Sequence, residues 1–208
     1  MPFKPGTGGQ IAQELSAAFM DIPGLWDSKR NLVDLDHLWS TPKALATAKI
    51  LVEEALKTHG HWDTLTSIFV ADTLKTPFGA LPIASALSYT SDKSLIIWKE
   101  HGEYFSGRAL MFGEGSQKER EAIGILHDVL AGGFAVIKMV EGLRALQQHN
   151  KKSYKVECVF SLVKLCSDKH IEDLTNLIKD ISGQRIHPEQ FIWSLDLSQF
   201  CGYNEQET

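Results

Sequence analysis

The chain of 208 residues is poor in several things. It has three cysteines, Cys158, Cys166 and Cys201, with no CxxC spacing and an odd total. That argues against a disulfide framework, and the reading is reduced thiols in a cytoplasmic protein. No apolar run approaches the roughly 20 residues of a membrane span, and the opening MPFKPGTGGQ lacks the apolar centre of a signal peptide. Positive charge is also short. Lys plus Arg total 21 against 26 Asp plus Glu, a net charge of −5, which offers no electrostatic footprint for nucleic acid or an anionic membrane. Internal repeats and low-complexity tracts are lacking too. What is present, 43% hydrophobic and 23% charged residues, suits one globular domain over 1–208.

Apolar periodicity divides the chain into elements. GQIAQELSAAFMDI has helical spacing up to Pro23. TPKALATAKILVEEALKTHG reads as a helix, with Thr41 as its cap, Pro42 in the first turn and Gly60 at its end. SIFVAD (67–72), SLIIWK (94–99), AIGILHD (122–128) and YKVECVFSLVKL (154–165) read as strands. GALPIASALS, FAVIKMVEGLRALQQH and IEDLTNLIKDIS read as the helices between and after them. Residues 100–120 are polar and glycine-dotted, and are expected to form a mobile flap or loop. Alternation of strands and helices predicts an α/β fold with a mainly parallel central sheet flanked by helices. Segments 1–40 and 183–208 are expected to supply a small hood. The apolar PEQFIWSLDLSQFCGY within the second of these either closes over the core or packs on another subunit.

Ligands of such sheets bind at the carboxyl ends of the strands, where 72–79, 99–118 and 128–134 emerge. In AIGILHDVLAGGFAVIKMVEGL a buried strand meets Asp128, then the small-residue turn Ala131-Gly132-Gly133, then a helix. Strand, acid, glycine turn and helix together place backbone amides and a helix dipole around a phosphate. Here the turn carries no hydroxyl, and Phe134 stands at the helix start.

Three segments together resemble type I phosphoribosyltransferases, closest to orotate phosphoribosyltransferase and the matching domain of UMP synthase. HDVLAGGFAVIKMVEGL resembles their phosphoribosyl-diphosphate loop, TPFGALPIASALS the early loop and helix, and SLIIWKEHGEYFSGR the start of the catalytic flap. They fall in the family's order over residues 41–165. The resemblance implies transfer of a 5-phosphoribosyl group from phosphoribosyl diphosphate to a base such as orotate, with Mg²⁺, in a homodimer. It implies Lys99 as the catalytic cation, and Lys75, Thr76, His127, Asp128, Ala131, Gly132, Gly133 and Phe134 as the phosphoribosyl-diphosphate site. Mg²⁺ would be held through the ligand, with Asp128 as the candidate carboxylate. Flap cations stabilise the departing pyrophosphate, and the strand-end acidic pair holds the ribose hydroxyls.

Several positions depart from that pattern. The acidic pair is His127 and Asp128, and the hydroxyl residues expected at 131 and 134 are Ala131 and Phe134. Losing two hydroxyl contacts to a charged phosphate costs about 1.5–3 kcal/mol each, or roughly two to four powers of ten in affinity. Phe134 blocks the phosphate space if its ring turns inward, and is a packing residue if it enters the core. In the flap, Lys99, Glu100 and Arg108 match, whereas Ile97, Trp98 and Gly102 replace basic residues; His101 and Lys118 are further cations nearby. Lys75 is either a pyrophosphate ligand or a solvated loop lysine, and the amide of Gly79 is a further donor. Two functions therefore stand side by side: a divergent transferase, or a non-catalytic member that keeps the fold as a sensor or interaction module. Neither His59, His61 and Asp63 as a metal site nor Cys158 with His170 as a nucleophile–base pair has supporting ligands or spacing.

Overall fold

A computed structural model describes residues 4–5, 17–19, 21–24, 26–27, 32–34, 40–72, 79–100, 107–112, 120–150 and 152–196, with the backbone alone at 4–5, 26–27, 32–33, 72, 99–100, 107–112, 150 and 182. Nine strands and four longer helices are formed among these residues. In chain order they are β1 (Lys4–Pro5), β2 (Trp26–Asp27), β3 (Leu32–Val33), α1 (Pro42–Thr58), β4 (Ser67–Asp72), α2 (Leu81–Tyr89), β5 (Ser94–Glu100), β6 (Gly107–Phe112), β7 (Arg120–Leu130), α3 (Phe134–Asn150), β8 (Ser153–Lys164), α4 (Asp168–Ser182) and β9 (Phe191–Asp196).

Seven strands make one sheet in the order β1-β9-β8-β7-β4-β5-β6. The five from β9 to β5 are parallel, and an antiparallel strand borders them at each side. Strand residues alternate between the two faces, as a period of two requires. Ile68, Val70, Leu95, Leu126, Phe160 and Ile192 join one core with α1 and α2. Phe69, Ile96, Ile125, Val159 and Phe191 join a second core with α3 and α4.

Each helix follows from its local sequence. In α1 the buried Ala44, Ala48, Leu51, Val52, Ala55 and Leu56 recur at helical spacing, and Pro42 opens the first turn. Thr41 is extended as a cap residue should be, yet its hydroxyl makes no capping bond, contrary to expectation. Ser167 does cap α4, accepting from the amide of His170 at 3.2 Å, and Gly183 closes that helix in the left-handed region at φ 69°.

Two expectations need correction. Residues 107–112, read as part of an irregular flap, form β6, whose ladder runs from Leu95 opposite Phe112 to Glu100 opposite Gly107. Residues 191–196, which the sequence left between closing the core and meeting another subunit, form β9 in the main sheet. β6 is an edge strand and β9 lies between β1 and β8, and their partners lie far away or across a loop, so neither pairing is visible in local spacing. Residues 101–106 and 113–119 lie outside the described residues. Of the expected hood, β2 and β3 form a separate two-stranded ribbon, and β1 pairs with β9.

The strand order places the site. From β4 the chain crosses to β5 on one side, whereas β7, β8 and β9 extend on the other. The carboxyl ends of β4 and β7 therefore flank a topological switch point, where ligands of open α/β sheets bind.

Among the described residues, the first half of β8 has no partner strand on the β9 side until Val159 meets Phe191. Gln184 covers that gap, donating to the carbonyl of Tyr154 at 2.7 Å and accepting from the amide of Val156 at 3.3 Å. Replacing Gln184 with Ala should lower stability by about 1–3 kcal/mol, two ordinary hydrogen bonds. The check is a lower urea midpoint at unchanged slope.

Candidate functional site

The carboxyl end of β7 carries the chemistry. Asp128 is only 6% exposed although it is charged. Its Oδ1 lies 2.8 Å from Nδ1 of the preceding His127 and 2.8 Å from the amide nitrogen of Val129. The same amide is 3.1 Å from His127 Nδ1. Two acceptors 2.8 Å apart would repel, so the proton belongs on Nδ1, and His127 and Val129 both donate to Oδ1. Burial pushes the Asp128 carboxyl up, but the His127 hydrogen bond and charge and the backbone amides outweigh it, leaving it below the usual aspartate value.

The turn after β7 leads into α3. Leu130 anchors it by accepting from the amide of Leu165 at 2.8 Å. Gly133 has φ 68°, and a Cβ there would stand 2.7 Å from Leu174 Cδ2. Glycine is thus required twice over, for its backbone region and for α4's close approach. Gly132 is exposed with open space around its Cβ position. The carbonyl of Gly133 accepts the amide of Ile137 at 3.1 Å, so the N–H groups just before that bond lack intrahelical acceptors. These amides and the α3 dipole are the element to which the sequence pattern assigns an anion.

Of its two expected placements, Phe134 does not take the one in the core. It is 63% exposed, and its ring lies on the outside of α3 with Lys138 Nζ 5.0 Å from its centroid. The ring is not in the core, and Lys138 brings a positive charge near the helix start that spacing arguments overlooked. Ala131 is half-buried and contributes no hydroxyl.

Lys75, Thr76, His101, Gly102 and Lys118 lie outside the described residues. Gly79, at φ 41°, ends the early loop where α2 begins. The backbone of Lys99 is in register with Asp72 of β4 and with Arg108 of β6, so its position is at the carboxyl edge of the sheet. Ile97 and Trp98, at positions where the resemblance expects basic residues, are packing residues on β5. Ile97 packs against the first core, and Trp98 is buried against Gly142 of α3.

A polar cluster beside the turn was missed by sequence reading. Lys164, in register with Leu130, is 1% exposed. It pairs with Asp168, with Asp196 at 3.2 Å, and with the Trp193 ring at 4.2 Å from its centroid. Burial lowers the Lys164 pKa, yet the two carboxylates outweigh this and hold it above the usual lysine value. Two carboxylates face one ammonium, so this lysine is committed within the protein. The signal was a lone lysine ending an apolar strand, which periodicity alone scores as a strand terminus.

The other candidates lie apart from the strand-end site. His59, His61 and Asp63 follow α1 and precede β4, at the opposite edge of the sheet. Burial holds the His61 imidazole below its usual pKa, with the charge of His59 adding to the effect. Cys158 is fully buried in β8, and burial pushes its thiol up to about 12, so it stays protonated. Among the described residues, no three His, Cys, Asp or Glu side chains converge on a metal position, and no helix is long and apolar enough to cross a membrane. The strand end itself fits a resident Mg²⁺ poorly, because that ion prefers several oxygen ligands and Asp128 Oδ1 is already taken.

With this geometry in view, similar proteins are informative. No family model matches the chain. Over 114 residues it is 30% identical to the orotate phosphoribosyltransferase of Pyrococcus horikoshii, covering 54% of this chain and 55% of that protein. The chain thus spans about half the length of the curated relative it matches. In three dimensions it resembles Mycobacterium tuberculosis orotate phosphoribosyltransferase in complex with inorganic phosphate, with TM-score 0.55, 17% identity and coverage of 91% of this chain and 90% of that one. It also resembles Trypanosoma brucei adenine phosphoribosyltransferase in complex with AMP, pyrophosphate and ribose-5-phosphate, with TM-score 0.54, 10% identity and coverage of 93% and 86%. The fold is the type I phosphoribosyltransferase fold, and the sequence resemblance to orotate phosphoribosyltransferases is borne out.

Two predictions follow from the strand end and turn. Gly133→Ala should destabilise by about 2–4 kcal/mol, from the left-handed backbone and the Leu174 overlap. Gly132→Ala should stay within about 0.5 kcal/mol; equal losses in chemical denaturation would contradict this account of the turn. Because the folded pKa of Asp128 is depressed, its contribution is present above the unfolded value and lost as pH falls through the folded one. Asp128→Asn should therefore be less stable than the wild type at neutral pH, with the gap shrinking below about pH 4; melting curves across pH test it.

Proposed function

We propose that this chain binds a 5-phosphorylated ribose at the carboxyl end of β7 and transfers a 5-phosphoribosyl group from phosphoribosyl diphosphate to a nitrogenous base. The observation that carries this reading is the Asp128 strand end followed by the glycine turn and the α3 N-terminus, at the switch point of the sheet. The solved complexes with inorganic phosphate and with ribose-5-phosphate in this fold support it. In the reaction the bond from the ribose anomeric carbon to pyrophosphate oxygen breaks, a bond from that carbon to a base nitrogen forms as that nitrogen loses its proton to solvent, and pyrophosphate departs with the electron pair. Asp128 orients the sugar, and the amides of the turn together with the helix dipole hold the 5′-phosphate. Lys99 and Lys75 are the proposed cations for pyrophosphate. Mg²⁺ would enter with the diphosphate and shield its oxygens. Orotate is the first base to try, given the relative's name.

A second reading has its own support. Ala131 removes a hydroxyl from the phosphate turn, and Ile97 and Trp98 serve packing where cations were expected. A protein with these features holds the sugar phosphate as a sensor or an interaction module and does not turn it over.

Purified protein with phosphoribosyl diphosphate, Mg²⁺ and a panel of pyrimidine and purine bases separates the two. Pyrophosphate release with any base supports transfer; binding without release supports the sensor. Restoring a turn hydroxyl with Ala131→Thr should tighten ribose 5-phosphate binding about tenfold, the worth of one hydrogen bond to a charged group. Calorimetric titration of both proteins gives the ratio.

A further inference from the structure

We propose that the contact between Trp98 and Gly142 sets the width of the ligand cleft, and so fixes how far the strand end at Lys99 stands from the phosphate turn. This rests on the phosphoribosyl-diphosphate reading above and adds Trp98 to that site as a positioning residue.

The ladders of the sheet leave that width open. β4 and β7 are in register only from Ser67 opposite Ile123 to Phe69 opposite Ile125. β4 stays paired with β5 as far as Asp72 opposite Lys99, and β7 stays paired with β8 as far as Leu130 opposite Lys164. Beyond Phe69 the sheet therefore parts into two halves, and among the described residues no ladder joins them there. The proposed ligand spans this gap, with its 5′-phosphate at the turn after β7 and its diphosphate at the end of β5. Backbone hydrogen bonds hold each bank of the cleft. Something else must hold the banks at a fixed distance.

The helix α3 does so. It begins at the phosphate turn, and Val136, Met139, Val140 and Leu143 share the second core with Ile125 of β7 and Val159 of β8. Gly142 of the same helix meets the other half of the sheet. A Cβ on it would stand 2.8 Å from Trp98 Cε2 and 2.9 Å from Trp98 Cδ2. Trp98 is 8% exposed and is in register with the small Ala71 of β4. Both ring atoms facing Gly142 belong to the fused edge of the indole, which cannot bend aside. Close-packed rigid groups transmit displacement, so the indole is a spacer between α3 and β5. Lys99 follows Trp98 directly along the strand, and a shift of the indole moves that strand end. The turn is held separately, by Leu130 with Leu165 and by Gly133 against Leu174. A change at the spacer therefore disturbs the diphosphate end of the cleft and spares the phosphate end.

Calorimetric titration of the full chain with ribose 5-phosphate, and with phosphoribosyl diphosphate in Mg²⁺, tests this. Gly142→Ala puts a methyl against the indole. It should weaken phosphoribosyl diphosphate binding about tenfold, close to the worth of one hydrogen bond to a charged group. Its affinity for ribose 5-phosphate should change by less than about threefold. Adding Trp98→Phe to Gly142→Ala returns the volume that the methyl takes and should restore the lost affinity. Trp98→Phe alone loosens the spacer and should show the same selective loss, which keeps the test decisive if Gly142→Ala does not fold. Equal weakening of both ligands, weakening of neither, or a selective loss that the double variant does not restore overturns this inference and leaves the sugar-phosphate reading intact. So does a wild type that binds phosphoribosyl diphosphate no more tightly than ribose 5-phosphate. A wild type that does not bind ribose 5-phosphate overturns the sugar-phosphate reading itself, and this inference with it.

Discussion

The parallel ladder between β7 and β8 is the constraint on which the rest depends. It runs from Arg120 opposite Ser153 to Leu130 opposite Lys164, with one irregularity after Ile123. Parallel strands deliver their carboxyl ends to a single edge, and this ladder brings Asp128, the glycine turn and the Lys164 cluster to that edge together. Its hydrogen bonds consume the backbone's polar groups, so both faces are free to be apolar and to take helices. The turn is then held from two directions: Leu130 is tied to Leu165 across the ladder, and Gly133 is pressed against Leu174 from the second core.

Charge at that edge is managed closely. Asp128 is buried, and it stays ionised because a ring proton and a backbone amide both point at one of its oxygens. Lys164 is buried, and it stays charged because two carboxylates and an aromatic face surround it. Neither group lends its charge freely. On the proposed reading, anion attraction falls to backbone amides and the α3 dipole, whose strength does not depend on which side chains the turn carries. On that reading a turn without hydroxyls still has a shape suited to phosphate.

Phe134 shows the limit of reading a site by residue type. A phenylalanine at a phosphate helix looks obstructive, but where it matters is set by its rotamer. The ring lies against Lys138 and outside the core. Trp98 makes the opposite point: it occupies a position where a functional cation was expected, and it is a core residue against Gly142.

Apolar periodicity and glycine placement, read from the chain alone, determined the parallel α/β class, four of the five parallel strands, the helices between them and the strand–acid–turn–helix unit at 122–143. These are short-range consequences of side-chain spacing and backbone preference, written within one element and its neighbour. Tertiary structure alone decided that 107–112 and 191–196 join the sheet, that Lys164 is buried with Asp168 and Asp196, and that Phe134 faces solvent. Each of those depends on what lies across a ladder or beneath a helix, and a linear pattern carries no measure of that distance.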